Sequence, residues 1–412
     1  MRRPAFLTAI LAAMLAIAFL LSNAIRSDAW TYKDGVLTHR NSGWVLNVTP
    51  HSKTDLVVTG VAARPSKPSA LPLADAVKGG CRITGIGDMA FLGCRNLTEV
   101  KIPAGVTRIG NGAFGNCTRL TRVKMPVGVT DIGDEVFSGC IDLTSVTIPA
   151  GVPRIGKHAF FGGASLTSVT IPAGVTRIGE GAFIGCGRLA SVTIPDSVTS
   201  IGDKAFWECS RLSDVSIPGG VTSIGKQVFS HCLRLTDVVI PDSVTSIDDG
   251  AFSGSGLTSV AFPDSVTNIG KWAFSSCRDL ISVTIPGSVT GMGERAFAGC
   301  NGLSSVTIPG NVTNIGERAF SDCTGLASVT ILDGALRIGK GMFFGCRGLT
   351  SVAIPDSVTH IGEQAFFNCT ALTSVMIPVG VTRIDKLAFP ERTRLIKKRE
   401  PQGAEPQNTD CE

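Results

Sequence analysis

A single tyrosine, five histidines and 17% charged residues are all that this 412-residue chain offers of several functional vocabularies, and each shortage removes a class of activity. His39, His51, His158, His231 and His360 are scattered without metal-ligand spacing. His231 stands beside Cys232, but that cysteine is one rung of a periodic row and reads as structural rather than as an activated nucleophile. The 48 glycines contain no P-loop and no dinucleotide fingerprint. A formal net charge of +5, scattered through the chain, lacks the concentrated basic stripe that nucleic-acid binding requires. The sequence therefore nominates no catalytic residue, no metal site and no cofactor.

Apolar runs are equally sparse. Ala5–Leu21 is unbroken, preceded by Arg2 and Arg3 and followed by small residues at Ser22, Ala24, Ser27 and Ala29. Residues 1–29 read as an export signal peptide cleaved after Ala24 or Ala29, with an uncleaved N-terminal anchor as the alternative. No second apolar run follows, and the predicted localisation is secreted or cell surface.

What the chain has in abundance is repetition. A phenylalanine recurs as Phe91, Phe114, Phe137, Phe160, Phe183, Phe206, Phe229, Phe252, Phe274, Phe297, Phe320, Phe343, Phe366 and Phe389. Every step is 23 residues except that from Phe252 to Phe274, where one residue is missing. A fixed period in this range predicts a solenoid of about 14 repeats, each one coil stacked on its neighbours. One coil alone buries too few apolar side chains to offset the entropy of ordering itself, so the array is the folding unit.

The stretch Leu189–Arg211, LASVTIPDSVTSIGDKAFWECSR, shows the unit. Its LxSVTIP run alternates and is β-branched, which predicts a strand with Leu189, Val192 and Ile194 inward, closed by a proline. SVTSIG predicts a second short extended piece, with Gly202 allowing a tight corner. DKAFWEC predicts a short helical turn that carries Phe206 and Cys209 into the core.

This phrase resembles the BspA-type leucine-rich repeat, LxxIxIPxxVxxIGxxAFxxCxx, over about three quarters of the chain. Departures are few: Met292 for Ile, Leu332 for Pro, Asp248 and Asp385 for Gly, and Gly163 and Ser255 for Cys. The resemblance implies a right-handed leucine-rich-repeat coil of short β-strands and short helical turns, borne by secreted or surface proteins that bind other macromolecules.

The domain reading is a signal or anchor over 1–29, a β-rich N-terminal cap over 30–85, the solenoid over 86–395 and a disordered tail over 396–412. The cap is needed because an open solenoid end exposes apolar edges. The deletion in Phe252–Leu257 predicts a local change of curvature. Eleven cysteines keep the beat: Cys94, Cys117, Cys140, Cys186, Cys209, Cys232, Cys277, Cys300, Cys323, Cys346 and Cys369. They read as a ladder of buried thiols, with disulfides between adjacent coils as the alternative.

The outward positions on either side of the inward valine form the candidate binding face. Its named members are Glu99, Lys101, Arg122, Lys124, Thr147, Thr170, Thr193, Asp214, Asp237, Thr284, Thr307 and Thr330, within a wider carpet of serine and threonine. The favoured function is a scaffold for an extracellular or cell-surface protein or glycan, without catalysis and without nucleic acid, where repetition supplies avidity; its adhesin-like role is what the resemblance implies. The membrane enters only through an uncleaved N-terminal segment. Two rivals are a structural envelope component with no specific ligand and an enzyme with its site in the cap.

Overall fold

A computed structural model describes residues 30–52, 54–73 and 82–398, and these divide into two compact units that meet in sequence between Leu257 and Thr258. That junction lies immediately after the one-residue deletion. Both units are stacks of coils, and the repeat unit explains why.

The first unit begins with a four-stranded antiparallel meander, β1 (Trp30–Lys33), β2 (Val36–His39), β3 (Val45–Pro50) and β4 (Asp55–Ala63). Strand β5 (Ser69–Leu71) follows, then β6 (Arg82–Ile86) and β7 (Leu97–Lys101). β4 pairs in parallel with β6, and β5 in parallel with β7, so the meander hands its register to two separate ladders. Trp30 and Trp44 are completely buried, and their ring N–H groups are satisfied locally. Trp30 donates to the Pro72 carbonyl at 3.2 Å, and Trp44 lies 3.2 Å from both the Ser69 hydroxyl and the Ala70 carbonyl. The two tryptophans thus fill the meander's core, and Trp44 pins β5.

Later coils contribute a first strand containing the inward valine, except around Val238 where none forms, and a two-residue second strand ending in the inward isoleucine, or in Met292 at one coil. The first-strand ladder of this unit runs from β5 and β7 through Arg122–Lys124 and Ser145–Thr147 to Ser168–Thr170, all parallel. The second ladder passes from β6 to Arg108–Ile109 and Asp131–Ile132. Register is set by identity of sequence, since Val146 lies beside Val169 and Ile155 beside Ile178. The second unit repeats the plan from Ser259–Ala261 onward, and its final strand, Arg394–Lys397, pairs with Ser374–Ile377. Ordered strand therefore extends two residues past position 395. Residues 399–412, like the leader at 1–29 and Cys81, lie outside the described residues.

The third side of each coil corrects the sequence reading, because no helix forms there. In Asp203–Cys209 alternate amides take different partners. Ala205, Trp207 and Cys209 donate to the carbonyls of Gly202, Lys204 and Phe206, closing successive tight turns, whereas Lys204, Phe206 and Glu208 donate to Lys226, Val228 and Ser230 of the next coil. A helix needs every amide for its own chain, and half of these amides are committed to a neighbour. The price of alternation is a left-handed backbone two residues before and two residues after each phenylalanine from Phe91 to Phe366, with φ of 58° at Lys204 and 59° at Glu208; at Phe389 only the preceding Leu387 adopts it.

The phenylalanines form a spine. Successive rings are stacked, with centroids 5.1 Å apart for Phe91 and Phe114, 5.2 Å for Phe183 and Phe206, and 5.0 Å for Phe366 and Phe389. The ladder cysteines are free, buried thiols. Nine of them point to the phenylalanine carbonyl of the preceding coil, as Cys209 does to Phe183 at 3.2 Å and Cys369 to Phe343 at 3.1 Å. Gly202 also has a different role from the predicted corner: a Cβ there would lie 2.5 Å from the Glu180 amide nitrogen, so the residue permits close approach of coils.

Candidate functional site

Alternation in the first strand decides what faces solvent. Val100, Val123, Val146 and Val169 are buried while their neighbours on both sides are exposed or half-exposed. All twelve sequence-nominated residues are exposed. Glu99 and Lys101 lie on β7, and Arg122 and Lys124 pair with them in register. Thr147 pairs with Thr170, and Ser191 with Asp214; Thr193 directly follows the strand Ser191–Val192, and Asp237 lies in the coil that forms no first strand. In the second unit Thr284, Thr307 and Thr330 form one in-register column. The topology thus brings the nominated residues of each unit onto one ladder face.

Many hydroxyl groups elsewhere in the repeat are already occupied. Thr121, Thr144 and Thr167, which precede the first strand, donate to carbonyls one coil back at 2.9, 3.3 and 3.1 Å. Thr130, Thr199, Thr359 and Thr382 do the same beside the second strand. Asp and Asn before the phenylalanine also tie coil to coil, since Asp88 accepts from the Asn111 amide and Asn111 from the Asp134 amide, both at 2.8 Å. By contrast, Thr147, Thr170, Thr193, Thr284, Thr307 and Thr330 make no such bond among the described residues, and their side chains are exposed to solvent. Much of the threonine content is structural, and this column is not.

Charge on the face is confined to its two flanks. Arg122 approaches Glu99 at 3.7 Å with both side chains largely exposed, a weak pair. Asp214 and Asp237 lie on successive coils at the other end of the first unit.

The second ladder carries a polar cleft of about 710 Å³, lined among others by His51, Asp55, Arg82, Asp88 and Arg108. Its charges are largely engaged internally. Asp55 is held below the usual carboxylate range, first by the Ser52 hydroxyl and then by Arg82 at 3.2 Å, while Arg108 lies 3.5 Å from Asp131. Burial pushes the thiols of Cys140, Cys186 and Cys232 up to about 12, which removes them as nucleophiles at neutral pH. Among the described residues no cluster of His, Cys, Asp and Glu could hold a metal ion, and no helix is long and apolar enough to cross a membrane.

A family model described as a BspA type leucine-rich repeat region matches residues 84–213, 199–327 and 315–403. The chain belongs to the BspA-type leucine-rich repeat family. Among solved structures, a leucine-rich repeat protein from Bacteroides ovatus is 31% identical, over 87% of this chain and 90% of that one, with a TM-score of 0.68. A leucine-rich cell surface protein from Faecalibacterium prausnitzii is 28% identical over 91% and 96%, with a TM-score of 0.46. The pneumococcal vaccine antigen PcpA shares the fold at 18% identity over 90% and 100%, with a TM-score of 0.56. No curated protein matches. BspA-type repeats thus account for the coil, the stacked phenylalanines and the cysteine row as one architecture, and two of these three structures are described as a surface protein or an antigen.

Proposed function

We propose that this BspA-type protein is an exported, cell-surface scaffold whose first-strand ladder binds extracellular protein or glycan and performs no catalysis. The observation that carries the reading is the column of uncommitted hydroxyls, set on a ladder flanked by rows of threonine that are bonded internally. Individually weak contacts repeated once per coil multiply into avidity. Export rests on the N-terminal sequence, with its two arginines, apolar run and small residues.

The test has two parts. Fractionation of expressing cells with mass spectrometry of the mature N-terminus should find a chain beginning at Ile25 or Trp30 outside the cytoplasm; a wholly cytoplasmic chain would end the surface reading. Saturable binding to a panel of surface glycans and matrix proteins, competed by soluble protein and lost when Thr147, Thr170 and Thr193 are replaced by valine, is the expected behaviour. Non-saturable or absent binding would favour a structural component of the envelope.

A further inference from the structure

The basic residues behind the chain's +5 net charge are not evenly spread, and the fold gathers one group of them on a single face. Residues 95–124 carry six arginines and lysines against one acid, Glu99, so this stretch alone accounts for a charge equal to that of the whole chain. Five of the six, Arg95, Lys101, Arg119, Arg122 and Lys124, lie on the first-strand ladder or the turn that enters it, on two adjacent coils. All five are exposed. Lys101 is directly paired with Lys124 on the neighbouring strand, an in-register juxtaposition of like charges that opposes folding. Arg95, Lys101, Arg119 and Lys124 have no carboxylate within ion-pairing distance among the described residues; only Arg122 has one, in Glu99. At the positions of Lys101, Arg122 and Lys124 nothing in the repeat demands cations, because the next three coils carry Ser145 and Thr147, Ser168 and Thr170, Ser191 and Thr193; the Arg119 position, by contrast, is arginine again in Arg188, Arg211 and Arg234.

We propose that these two coils are the anchor for a linear anionic polysaccharide, one bearing carboxylate or sulfate groups. The inference rests on the scaffold reading above and specifies its ligand. Rungs about 4.7–4.9 Å apart place cations and then hydroxyls along one line across the strands. A polymer carrying both acidic groups and hydroxyls is complementary to that order: its charged groups meet the two basic coils and its hydroxyls meet the serine and threonine columns that follow. A protein partner would call for desolvated apolar or aromatic anchors, and the outward positions from Glu99 to Thr193 contain none. Single-stranded nucleic acid would call for stacking aromatics, and the face has none.

The experiment uses the mature full-length chain with immobilised heparin as the anionic polysaccharide, dextran as the uncharged control and a single-stranded DNA oligomer as the competing polyanion. Lys101→Thr, Arg122→Ser and Lys124→Thr are combined, because serine and threonine already occupy these positions in other coils and folding is preserved. A second variant, Arg95→Ser with Arg119→Ser, guards against misfolding of the first. Wild type should bind heparin, with affinity falling at least about tenfold between 50 and 200 mM salt. Either variant should lose about tenfold or more at low salt with an unchanged melting temperature, and dextran should not compete. Variants that bind like wild type overturn the anchor, and DNA binding tighter than heparin overturns the polysaccharide assignment. Failure of wild type to bind heparin while a panel ligand is still bound saturably overturns this inference and leaves the scaffold reading standing; loss of all saturable binding removes the scaffold reading itself.

Discussion

Left-handed backbone is costly for any residue with a Cβ, about 1–3 kcal/mol when unsupported, and this protein adopts it twice per repeat. After each phenylalanine the left-handed position is glycine, asparagine, aspartate or histidine in every described coil except at Glu208 and Ser276, the residue types that tolerate it. That bias is the sequence signal that could have ruled out a helical turn, but it is invisible in a single repeat and emerges only when the repeats are aligned. Before the phenylalanine the position is freer, and Glu135 sits there exposed at φ 58°. Glu135→Gly should therefore raise stability by about 0.5–1 kcal/mol, after allowing for the greater entropy of glycine in the unfolded chain. Gly112→Val, at the equivalent site with φ 57°, should lower it by about 1–3 kcal/mol. Urea midpoints of the two variants check both signs.

Asp248 stands where most coils have glycine, and burial raises its carboxyl above the ordinary value of 3.8. An acid whose folded affinity for protons exceeds its unfolded one helps below the unfolded value and is a burden once pH rises through the folded one. Asp248→Gly should stabilise the protein more at pH 7 than at pH 3. Equal gains at both pH values would mean that sterics, not charge, set the cost.

At the scale of the element, the cysteine row shows how much of the repeat was legible and where reading stopped. The period fixed which positions point inward, and Leu189, Val192, Ile194, Val198, Phe206 and Cys209 are all buried. It left thiol and disulfide both open, because coil spacing permits either. In the structure nine of the thiols are directed at a phenylalanine carbonyl one coil back, which gives each sulfur a partner other than another sulfur. Burial lifts Cys140, Cys186 and Cys232 to about 12 from an ordinary 9.0. These three should resist iodoacetamide at pH 8 in the native protein and react fully in urea, as peptide mass spectrometry would show. Their contribution to stability is complete below about pH 8.5, the ordinary thiol range, and is lost as pH climbs toward 12. Alkaline unfolding in that window, blunted when the three are replaced by alanine, is the expected titration. The candidate face was legible in the same way, by alternation. Its basic end was legible in its members, Lys101, Arg122 and Lys124, but not in their pairing, since Lys101 and Lys124 are 23 residues apart in sequence and become neighbours only when two strands pair.

A molecule built from near-identical rungs must also stop adding rungs, and its first and last described strands do so differently. At the first end, β5 is pinned by hydrogen bonds from the buried Trp44 ring to Ser69 and Ala70. At the other, Arg394–Lys397 is exposed along its whole length, and Ile384 and Leu395, which repeat core positions, are 40% and 42% exposed. An edge strand in this state is a template for further pairing. Lys397 is the counterweight. It aligns with Ile377, which is buried, so the core column that earlier coils fill with an apolar side chain ends in a charge. Another parallel strand added here would have to bury that ammonium unpaired, at a cost of several kcal/mol. Lys398 reinforces the block by reaching back to Asp356 at 2.7 Å. Lys397→Ile should therefore keep the fold but release the edge, giving concentration-dependent oligomers by light scattering where the parent chain gives none through this edge. Lys397→Glu, which changes the sign and keeps the charge, should remain as the parent. Oligomerisation of both variants alike would show that positive charge, rather than the burial cost of any charge, guards the end.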